Sequence, residues 1–188
     1  MANISIFGLG YVGCVGTACL AKLGHKVIGY DVDETKVSCI NQGIPTIVER
    51  EVDEVMKEAH TQGLISATSS TEQAVAKSSI SFLCVGTPNA SDGQLDTSCL
   101  FHAIRNIGKA LRSKSTFHIV VIRSTVPPGT NETATEILEK ESGKKAGINF
   151  AVVSNPEFLR EGMAVSDFLA PPITVLGSAN PQALKILR

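Results

Sequence analysis

The sequence predicts an α/β domain with a doubly wound, mostly parallel sheet, and three observations point to that class. Short runs of β-branched residues alternate with helical stretches along the 188 residues. The runs at 80–85 and 117–122 are apolar on both alternating faces, as strands covered by helices on both sides should be. A glycine-rich turn at residues 8–13 joins the first strand to the first helix. This alternation favours a parallel sheet with ligands at its carboxyl edge.

Each element follows from its local residue pattern, with β-branched runs marking strands and periodic or small-residue stretches marking helices. The predicted strands are residues 4–7, 26–30, 80–85, 117–122, 150–153 and 173–176, with a minor strand near 64–65. The predicted helices are 11–23, 34–41, 52–62, 97–113, 130–141 and 159–168, with a helical turn at 71–77. Gly24 and Gly43 end the first two helices.

The last residues predict the start of one more helix. Asn180 suits the N-cap, Pro181 suits the first helical position, and Leu184 and Leu187 begin an apolar stripe. The sequence then ends at Arg188 without a capping residue. We therefore expect this chain to be the first part of a longer protein.

Composition excludes several classes of protein. Lys+Arg 17 against Asp+Glu 18 leaves a net charge of −1, without the basic excess that a nucleic-acid partner requires. The apolar runs are far shorter than the roughly 20 residues of a membrane span. The N-terminal residues lack the basic start of a secretory signal. We expect no nucleic-acid partner and no membrane contact.

Cysteine usage favours a reducing compartment. The five cysteines form no C-x-x-C pair, and no residue spacing indicates a metal site. We expect a cytoplasmic protein whose thiols are reduced, buried and used as small apolar groups. The cysteines are at positions 14, 19, 39, 84 and 99.

The turn at residues 8–13 has the spacing of a dinucleotide-binding motif. Gly8 permits the tight turn, Gly10 lets the main chain approach a pyrophosphate, and Gly13 lets helix and strand pack closely. Main-chain amides at the start of the helix then face the phosphates, with the positive end of the helix dipole behind them. These amides belong to Tyr11, Val12 and Gly13. The alternative is a glycine turn without a ligand.

An acid ends the second predicted strand, about 20 residues after the glycine motif, where dinucleotide-binding folds place one. Asp31 can accept hydrogen bonds from the adenosine ribose and repel the extra phosphate of NADP, so NAD is favoured. Lys36 is either a further cofactor contact or a solvated helix residue. Thr87, in the turn after the strand at 80–85, either contacts the nicotinamide half or only shapes the turn. The loop 89–96, with its Asp92-Gly93 turn, is expected to form a rim or lid.

Two later motifs carry candidate chemical groups. Thr125 follows the strand at 117–122, and two prolines stiffen its loop, so its hydroxyl either positions a water or caps a helix. Asn155 and Pro156 suit a helix start. A helix there would place Glu157 and Glu161 on one face, either for proton and water chemistry or to complement the helix dipole.

Four motifs follow one another along the chain: Ile4–Gly13, Cys84–Pro88, Arg123–Thr130 and Asn155–Glu161. In this order they resemble the UDP-glucose/GDP-mannose dehydrogenase family, and the resemblance covers nearly the whole chain. It implies that residues 1–188 are an N-terminal, Rossmann-type NAD-binding domain. The implied reaction oxidises the C6 hydroxyl of a nucleotide sugar to a carboxylate with two NAD and one water, through a cysteine thioester.

The resemblance also implies roles for individual residues. Thr125 would help position the water and contact NAD, and Glu157 would share the proton and water chemistry. Glu161 and the backbone around Phe158 and Leu159 would hold the sugar. The remaining side chains implied to contact NAD are Tyr11, Val12, Asp31, Lys36 and Thr87.

The sugar stays open between two branches of the family, with GDP-mannose favoured. Residues 142–147 and 171–177 resemble the GDP-mannose branch, whereas 159–162 and 167–169 resemble the UDP-glucose branch. The resemblance implies a homo-oligomeric full-length protein whose nucleophilic cysteine lies outside this chain, so the chain alone should bind NAD without turnover. The alternatives are a β-hydroxyacid-type dehydrogenase and a non-catalytic nucleotide-sensing module.

Overall fold

The computed structural model describes residues 1–90 and 93–188, in which strands and helices alternate. The strands are β1 (Asn3–Phe7), β2 (Lys26–Tyr30), β3 (Ile65–Thr68), β4 (Ile80–Leu83), β5 (His118–Ile122) and β6 (Phe150–Ser154). The helices are α1 (Tyr11–Lys22), α2 (Glu34–Asn41), α3 (Val52–Thr61), α4 (Thr71–Ala76), α5 (Ser98–Leu111), α6 (Thr130–Ser142), α7 (Ala164–Leu169) and α8 (Pro181–Leu187).

The six strands form one parallel sheet in the order β3-β2-β1-β4-β5-β6. The chain runs outward from β1 through β2 to β3 and then returns to add β4 on the other side of β1. The strand order therefore reverses between β1 and β4, which is where open α/β sheets bind ligands. The predicted fold class is confirmed, and the minor strand near 64–65 is the edge strand β3.

The core lies on both faces of this sheet. All five residues of β5 are buried, and successive side chains enter opposite clusters. Ile119 and Val121 join the cluster that contains α1 and α3, whereas Val120 and Ile122 join the cluster that contains α5 and α6. Burial on both faces explains why this strand carries an unbroken β-branched run.

Side-chain caps begin α2 and α8. The Asp33 carboxylate accepts the Thr35 amide at the start of α2, and the Asn180 side chain accepts the Ala183 amide at the start of α8. The predicted N-cap at Asn180 is therefore confirmed. These caps satisfy amides that cannot bond within their own helix.

The helix predicted at 159–168 is wrong at its start, because α7 begins only at Ala164. The amide and guanidinium of Arg160 donate to the Asp167 carboxylate at 2.7–3.0 Å, and Gly162 has a left-handed φ of +81°. Together these features fold residues 155–163 into a loop. The helix start predicted at Asn155 and Pro156 is wrong for the same reason.

The strand predicted at 173–176 is also wrong. The segment has no ladder, and a single antiparallel bridge joins Ser154 to Gly177. The main chain of Gly177 donates to the Ser154 carbonyl at 2.9 Å and accepts its amide at 2.8 Å. Pro171 and Pro172 immediately precede the segment, and proline does not donate to a ladder.

Three further features bear on the sequence predictions: the burial of the cysteines, the turn at Asp92-Gly93 and the length of the apolar helices. Cys14 and Cys19 are buried as predicted, whereas Cys39 and Cys84 are only half-buried and Cys99 is exposed, so the expectation of burial is wrong for Cys99. Asp92, in the predicted Asp92-Gly93 turn, lies outside the described residues. Across the described part of the chain, none of the helices combines the length and the apolar character needed to cross a membrane.

Candidate functional site

The glycine turn between β1 and α1 holds its shape through main-chain contacts. The Gly8 amide donates to the Tyr30 carbonyl at 2.8 Å, which fixes the turn to β2. A Cβ on Gly13 would lie 1.8 Å from the Gly8 carbonyl oxygen, so only glycine fits there. A Cβ on Gly10 would meet nothing within 4 Å. Gly10 therefore presents bare main chain to open space, as the approach of a phosphate requires.

The start of α1 is suited to an anion. Gly10 is the N-cap and supplies no side-chain bond, and the first turn contains no acidic residue. The first amides of a helix have no partner within the helix, and the helix dipole places partial positive charge beside them. Tyr11, Val12 and Gly13 occupy this turn, so the structure places the predicted amides at the mouth of the glycine motif.

Asp31 is fixed directly beside this turn at the end of β2. It is 7% exposed, and its Oδ2 accepts the Leu9 amide at 2.7 Å while its Oδ1 accepts the Asp33 amide at 3.0 Å. The Lys36 ammonium lies 3.6 Å from Oδ2 and is partly exposed. The two amides hold the carboxylate in place, and Lys36 adds a positive charge at the same spot.

A cavity of about 340 Å³ lies at the reversal of strand order and joins these residues. Gly10, Asp31 and Lys36 line one side of it. Its other side comes from the turn after β4 and from α5, and sequence analysis did not assign the α5 residues to the site. They come to the cavity only through the packing of α5 on the sheet, so no local motif marks them. They are Cys99, His102, Ala103 and Asn106.

The loops after β4 and β5 are bonded to each other. The Thr87 hydroxyl donates to the Thr125 carbonyl at 2.9 Å, and the Ser124 hydroxyl donates to the Val85 carbonyl at 2.6 Å. The structure thus brings the predicted residues Thr87 and Thr125 together. Thr125 is exposed, and its hydroxyl forms no hydrogen bond within the described ranges. That hydroxyl is therefore available to a water or a ligand.

Glu157 and Glu161 lie in the loop after β6, and their predicted placement on one face of a helix is wrong. Glu157 is half-buried, and its Oε2 accepts the amide of Leu159 at 2.7 Å, which closes a tight local turn. Glu161 and Phe158 are exposed, while Leu159 is half-buried. The carboxylates are presented by a loop rather than by a helix.

Arg123, which follows β5, supports this loop through Asn155, the first residue of the loop. Instead of capping a helix, Asn155 accepts the Arg123 Nη1 at 2.6 Å and donates its Nδ2 to the Val175 carbonyl at 2.9 Å. The guanidinium lies 5.2 Å from the centre of the Phe168 ring, a cation–π contact. Burial lowers the pKa of Arg123, although the charge of Glu157 acts in the opposite direction. Arg123 therefore anchors the base of the loop.

Glu49 is a residue that sequence analysis missed. It is 7% exposed, and its Oε2 accepts the Tyr11 hydroxyl at 2.8 Å and the Gly162 amide at 2.9 Å, while its Oε1 accepts the Ala164 amide at 3.3 Å. The Gly162 amide is the main reason that the pKa of Glu49 is lowered. No local signal marks this residue, because its partners lie far away in the sequence.

The Tyr11 phenol is bonded to one carboxylate and is influenced by the charges of two others. Burial first, then the hydrogen bond to Glu49, raises the pKa of the Tyr11 phenol. The charges of Glu49, Glu161 and Glu157 raise it further. The phenol is therefore a firm donor, and it stands between the glycine turn and the loop after β6.

The reversal of strand order, the open glycine turn and the buried acid define a dinucleotide-binding domain of the oxidoreductase type. Residues 2–188 match the family described as "UDP-glucose/GDP-mannose dehydrogenase family, NAD binding domain", and the chain belongs to this family. It is an NAD-binding domain of the nucleotide-sugar dehydrogenases, which are NAD-dependent oxidoreductases. The open space at Gly10 and the cavity beside Asp31 fit that cofactor.

Named relatives are similar to this chain in sequence and in fold. The chain is 48% identical over 186 residues to GDP-mannose 6-dehydrogenase of Pseudomonas aeruginosa, covering 98% of this chain and 43% of that protein. It superposes on a ternary complex of GDP-mannose dehydrogenase from Pseudomonas aeruginosa with a TM-score of 0.95, at 48% identity, covering 98% of this chain and 42% of that one. The chain therefore spans less than half the length of these relatives.

A second solved structure is nearly as similar. It is a UDP-glucose dehydrogenase from the hyperthermophilic archaeon Pyrobaculum islandicum, with a TM-score of 0.94 and 42% identity. The match covers 100% of this chain and 43% of that one. Both branches of the family thus share this domain, and the domain's fold does not separate their substrates.

Proposed function

We propose that residues 1–188 form the NAD-binding domain of a nucleotide-sugar 6-dehydrogenase that converts GDP-mannose to GDP-mannuronate. The observation that carries the proposal is the cavity at the reversal of strand order, where the bare main chain of Gly10 meets the buried carboxylate of Asp31. The choice of GDP-mannose is supported by 48% identity to a GDP-mannose 6-dehydrogenase. A cytoplasmic location and a homo-oligomeric full-length protein belong to the same proposal.

The cofactor would lie across the start of α1. The amides of Tyr11, Val12 and Gly13 would hold its pyrophosphate, because they point from a helix N-terminus without an acid in the first turn. Asp31 would accept the ribose hydroxyls, with Lys36 beside it. NAD, when bound, accepts the hydride that leaves the substrate carbon.

Thr87 and Thr125 would serve the nicotinamide end of the site. The two loops that carry them are bonded to each other across β4 and β5. The Thr125 carbonyl accepts the Thr87 hydroxyl, which leaves the Thr125 hydroxyl free. That hydroxyl would contact NAD and position the water that the four-electron oxidation consumes. The geometry is consistent with a water site at the carboxyl edge of the sheet.

The loop after β6 would hold the sugar and move protons. Glu157 would exchange protons with the water and the C6 hydroxyl, because a half-buried carboxylate near the nicotinamide end can act as a general base. Glu161, which is exposed, and the backbone of Phe158 and Leu159 would bind the sugar. The base of the loop is held by Arg123, so the carboxylates have a defined support.

UDP-glucose is the second candidate substrate. The similarity to the Pyrobaculum islandicum enzyme, at 42% identity and a TM-score of 0.94, favours it specifically. The chain spans less than half of each relative. The groups that recognise the nucleotide base would lie in the part of the full-length protein outside these residues.

Turnover by the intact protein that contains this chain tests the proposal. We expect NADH formation from GDP-mannose, with a kcat/KM at least tenfold above that for UDP-glucose. Replacement of Glu157 by Gln should abolish turnover and leave NAD binding intact, whereas a higher kcat/KM with UDP-glucose would reverse the choice of sugar.

The isolated 188-residue chain supplies the control. We expect it to bind NAD in isothermal titration calorimetry and to form no NADH from either nucleotide sugar. NADH formation by the chain alone would contradict the assignment of the chain as the cofactor-binding part only.

A further inference from the structure

The segment between α2 and α3 (residues 42–51, here the α2–α3 loop) contacts two distant parts of the candidate site. At one point the Thr46 hydroxyl donates to the Leu9 carbonyl at 2.6 Å, inside the glycine turn. At another point Glu49 accepts the amide of Gly162, in the loop that carries Glu157, and the amide of Ala164, the first residue of α7. The α2–α3 loop therefore joins the cofactor side to the substrate side.

Glu49 is the group through which both sides are connected. Its Oε2 accepts the Tyr11 hydroxyl at 2.8 Å and the Gly162 amide at 2.9 Å. One oxygen atom thus receives a donor from the first residue of α1 and a donor from the turn before α7. A buried carboxylate is costly to hold without partners, and these donors offset that cost.

The backbone two residues after Glu49 carries strain. Glu51 has a left-handed φ of 67°, and among the described residues it is the only non-glycine residue with a positive φ. Such a conformation persists only where surrounding contacts hold it. The path of the α2–α3 loop past Glu49 is thus imposed by its contacts rather than by local preference.

We infer that Glu49 is a positioning residue that couples occupation of the glycine turn to the order of residues 157–164. The Tyr11 amide lies in the proposed pyrophosphate site, and its hydroxyl is held by Glu49. A cofactor that restrains Tyr11 also restrains Glu49, and Glu49 passes the restraint to the amides of Gly162 and Ala164. This inference rests on the proposed function, since it assigns the cofactor to the turn and the substrate to the loop.

Coupling of this kind is reciprocal. If the cofactor orders the loop, an ordered loop must raise affinity for the cofactor by the same factor. Substrate bound on the loop would then strengthen cofactor binding through Glu49. A tie that only stabilises the fold would leave cofactor affinity and loop order independent of each other.

Amide hydrogen exchange with and without NAD tests the coupling. In the 188-residue chain we expect NAD to slow exchange at Gly162 and Ala164 at least tenfold. Glu49→Gln should remove this NAD-dependent slowing and raise the dissociation constant for NAD about fivefold, within the range of ordinary allosteric coupling. Val48→Thr is the matched control, because the Val48 side chain in the same loop is 100% exposed. It should behave as the wild type does.

A double-mutant cycle with Tyr11→Phe shows whether Glu49 acts through the phenol. We expect the double variant to bind NAD within twofold of Glu49→Gln alone, because both substitutions remove the same connection. Glu49→Asp keeps the charge with a shorter reach and should restore part of the NAD-dependent slowing. It also provides the measurement if Glu49→Gln does not fold.

Two results would overturn the inference. One is an undiminished slowing of exchange at Gly162 and Ala164 in a folded Glu49 variant. The other is full additivity of the Tyr11→Phe and Glu49→Gln effects on NAD affinity. If the wild-type chain itself fails to bind NAD, the proposed function fails as well, so the two failures are distinguishable.

Discussion

Asp31 and Glu49 are two buried acids bonded to the glycine turn. They make similar contacts with main-chain amides but differ in what their carboxylates face. Each is 7% exposed, and each accepts two main-chain amides. Asp31 also lines the cavity and lies beside the Lys36 ammonium, whereas Glu49 also accepts a hydrogen bond from the Tyr11 hydroxyl. A carboxylate facing a cavity is available to a ligand, while one facing a side chain connects parts of the protein.

The largest effect is expected in the glycine turn itself, to which Asp31 is bonded through Leu9 and Glu49 through Tyr11. Gly13→Ala would place a methyl group 1.8 Å from the Gly8 carbonyl oxygen and push the turn away from α1. We expect the free energy of unfolding to fall by about 3 kcal/mol or more, and NAD binding to be lost. Urea denaturation and calorimetry provide the two measurements.

Gly16→Ala in the same helix is its control. The added methyl would lie 3.4 Å from Ile6 Cδ1, close to an ordinary contact, and alanine is the better helix former. We expect a change of less than about 1 kcal/mol and normal NAD affinity. Equal free energies of unfolding and equal NAD affinities for Gly13→Ala and Gly16→Ala would show that the turn tolerates displacement.

A smaller effect, on the dissociation constant for NAD, distinguishes Asp31 from Glu49. Asp31→Asn removes the charge that would accept the ribose hydroxyls and leaves Lys36 without its partner. Hydrogen bonds to charged groups contribute about 1.5–3 kcal/mol, so the dissociation constant for NAD should rise roughly 10- to 100-fold. This exceeds the change expected for Glu49→Gln, and calorimetry compares them directly.

Asp33→Asn is the matched exchange for Asp31→Asn. Asp33 is exposed and caps α2, and asparagine caps a helix equally well. We expect NAD affinity to remain unchanged. If Asp31→Asn bound NAD as tightly as Asp33→Asn, the distinction between a ligand-facing acid and a connecting acid would fail.

The smallest expected effect appears at alkaline pH. Because the folded pKa of Tyr11 is raised above the ordinary value of 10.0, the protonated phenol contributes fully to stability below pH 10, and this contribution is lost as the pH rises further. Glu49→Gln removes one cause of the shift, so Tyr11 should ionise at a lower pH. Ultraviolet absorbance of tyrosinate follows the titration, and Tyr11→Phe isolates the signal of Tyr30. Identical titrations of wild type and Glu49→Gln would contradict the assigned contact.

The shape of the glycine turn and the placement of Asp31 beside it could be predicted from the sequence because both depend on local residues. Gly8, Gly10 and Gly13 shape their own turn, and Asp31 follows the strand beside them, so spacing alone places them. The alternation of strands and helices, together with the ordinary crossover rules, predicts a parallel sheet.

The other side of the site depends on contacts that spacing does not encode. Glu157 and Glu161 have helical spacing, but Arg160 pairs with Asp167, and Gly162 takes a left-handed conformation that ends any helix there. Glu49 reaches partners more than a hundred residues away in sequence. Tertiary contacts decided these cases, and a single sequence does not display them.

The bond between the Thr87 hydroxyl and the Thr125 carbonyl has a consequence for how this domain can diversify. Together with the Ser124 bond to Val85, it makes the turns after β4 and β5 one rigid piece. An insertion in one turn would displace the other and carry Thr125 away from the carboxyl edge of the sheet. Loop length at these two places should therefore change only in concert, while the outward-facing side chains vary freely.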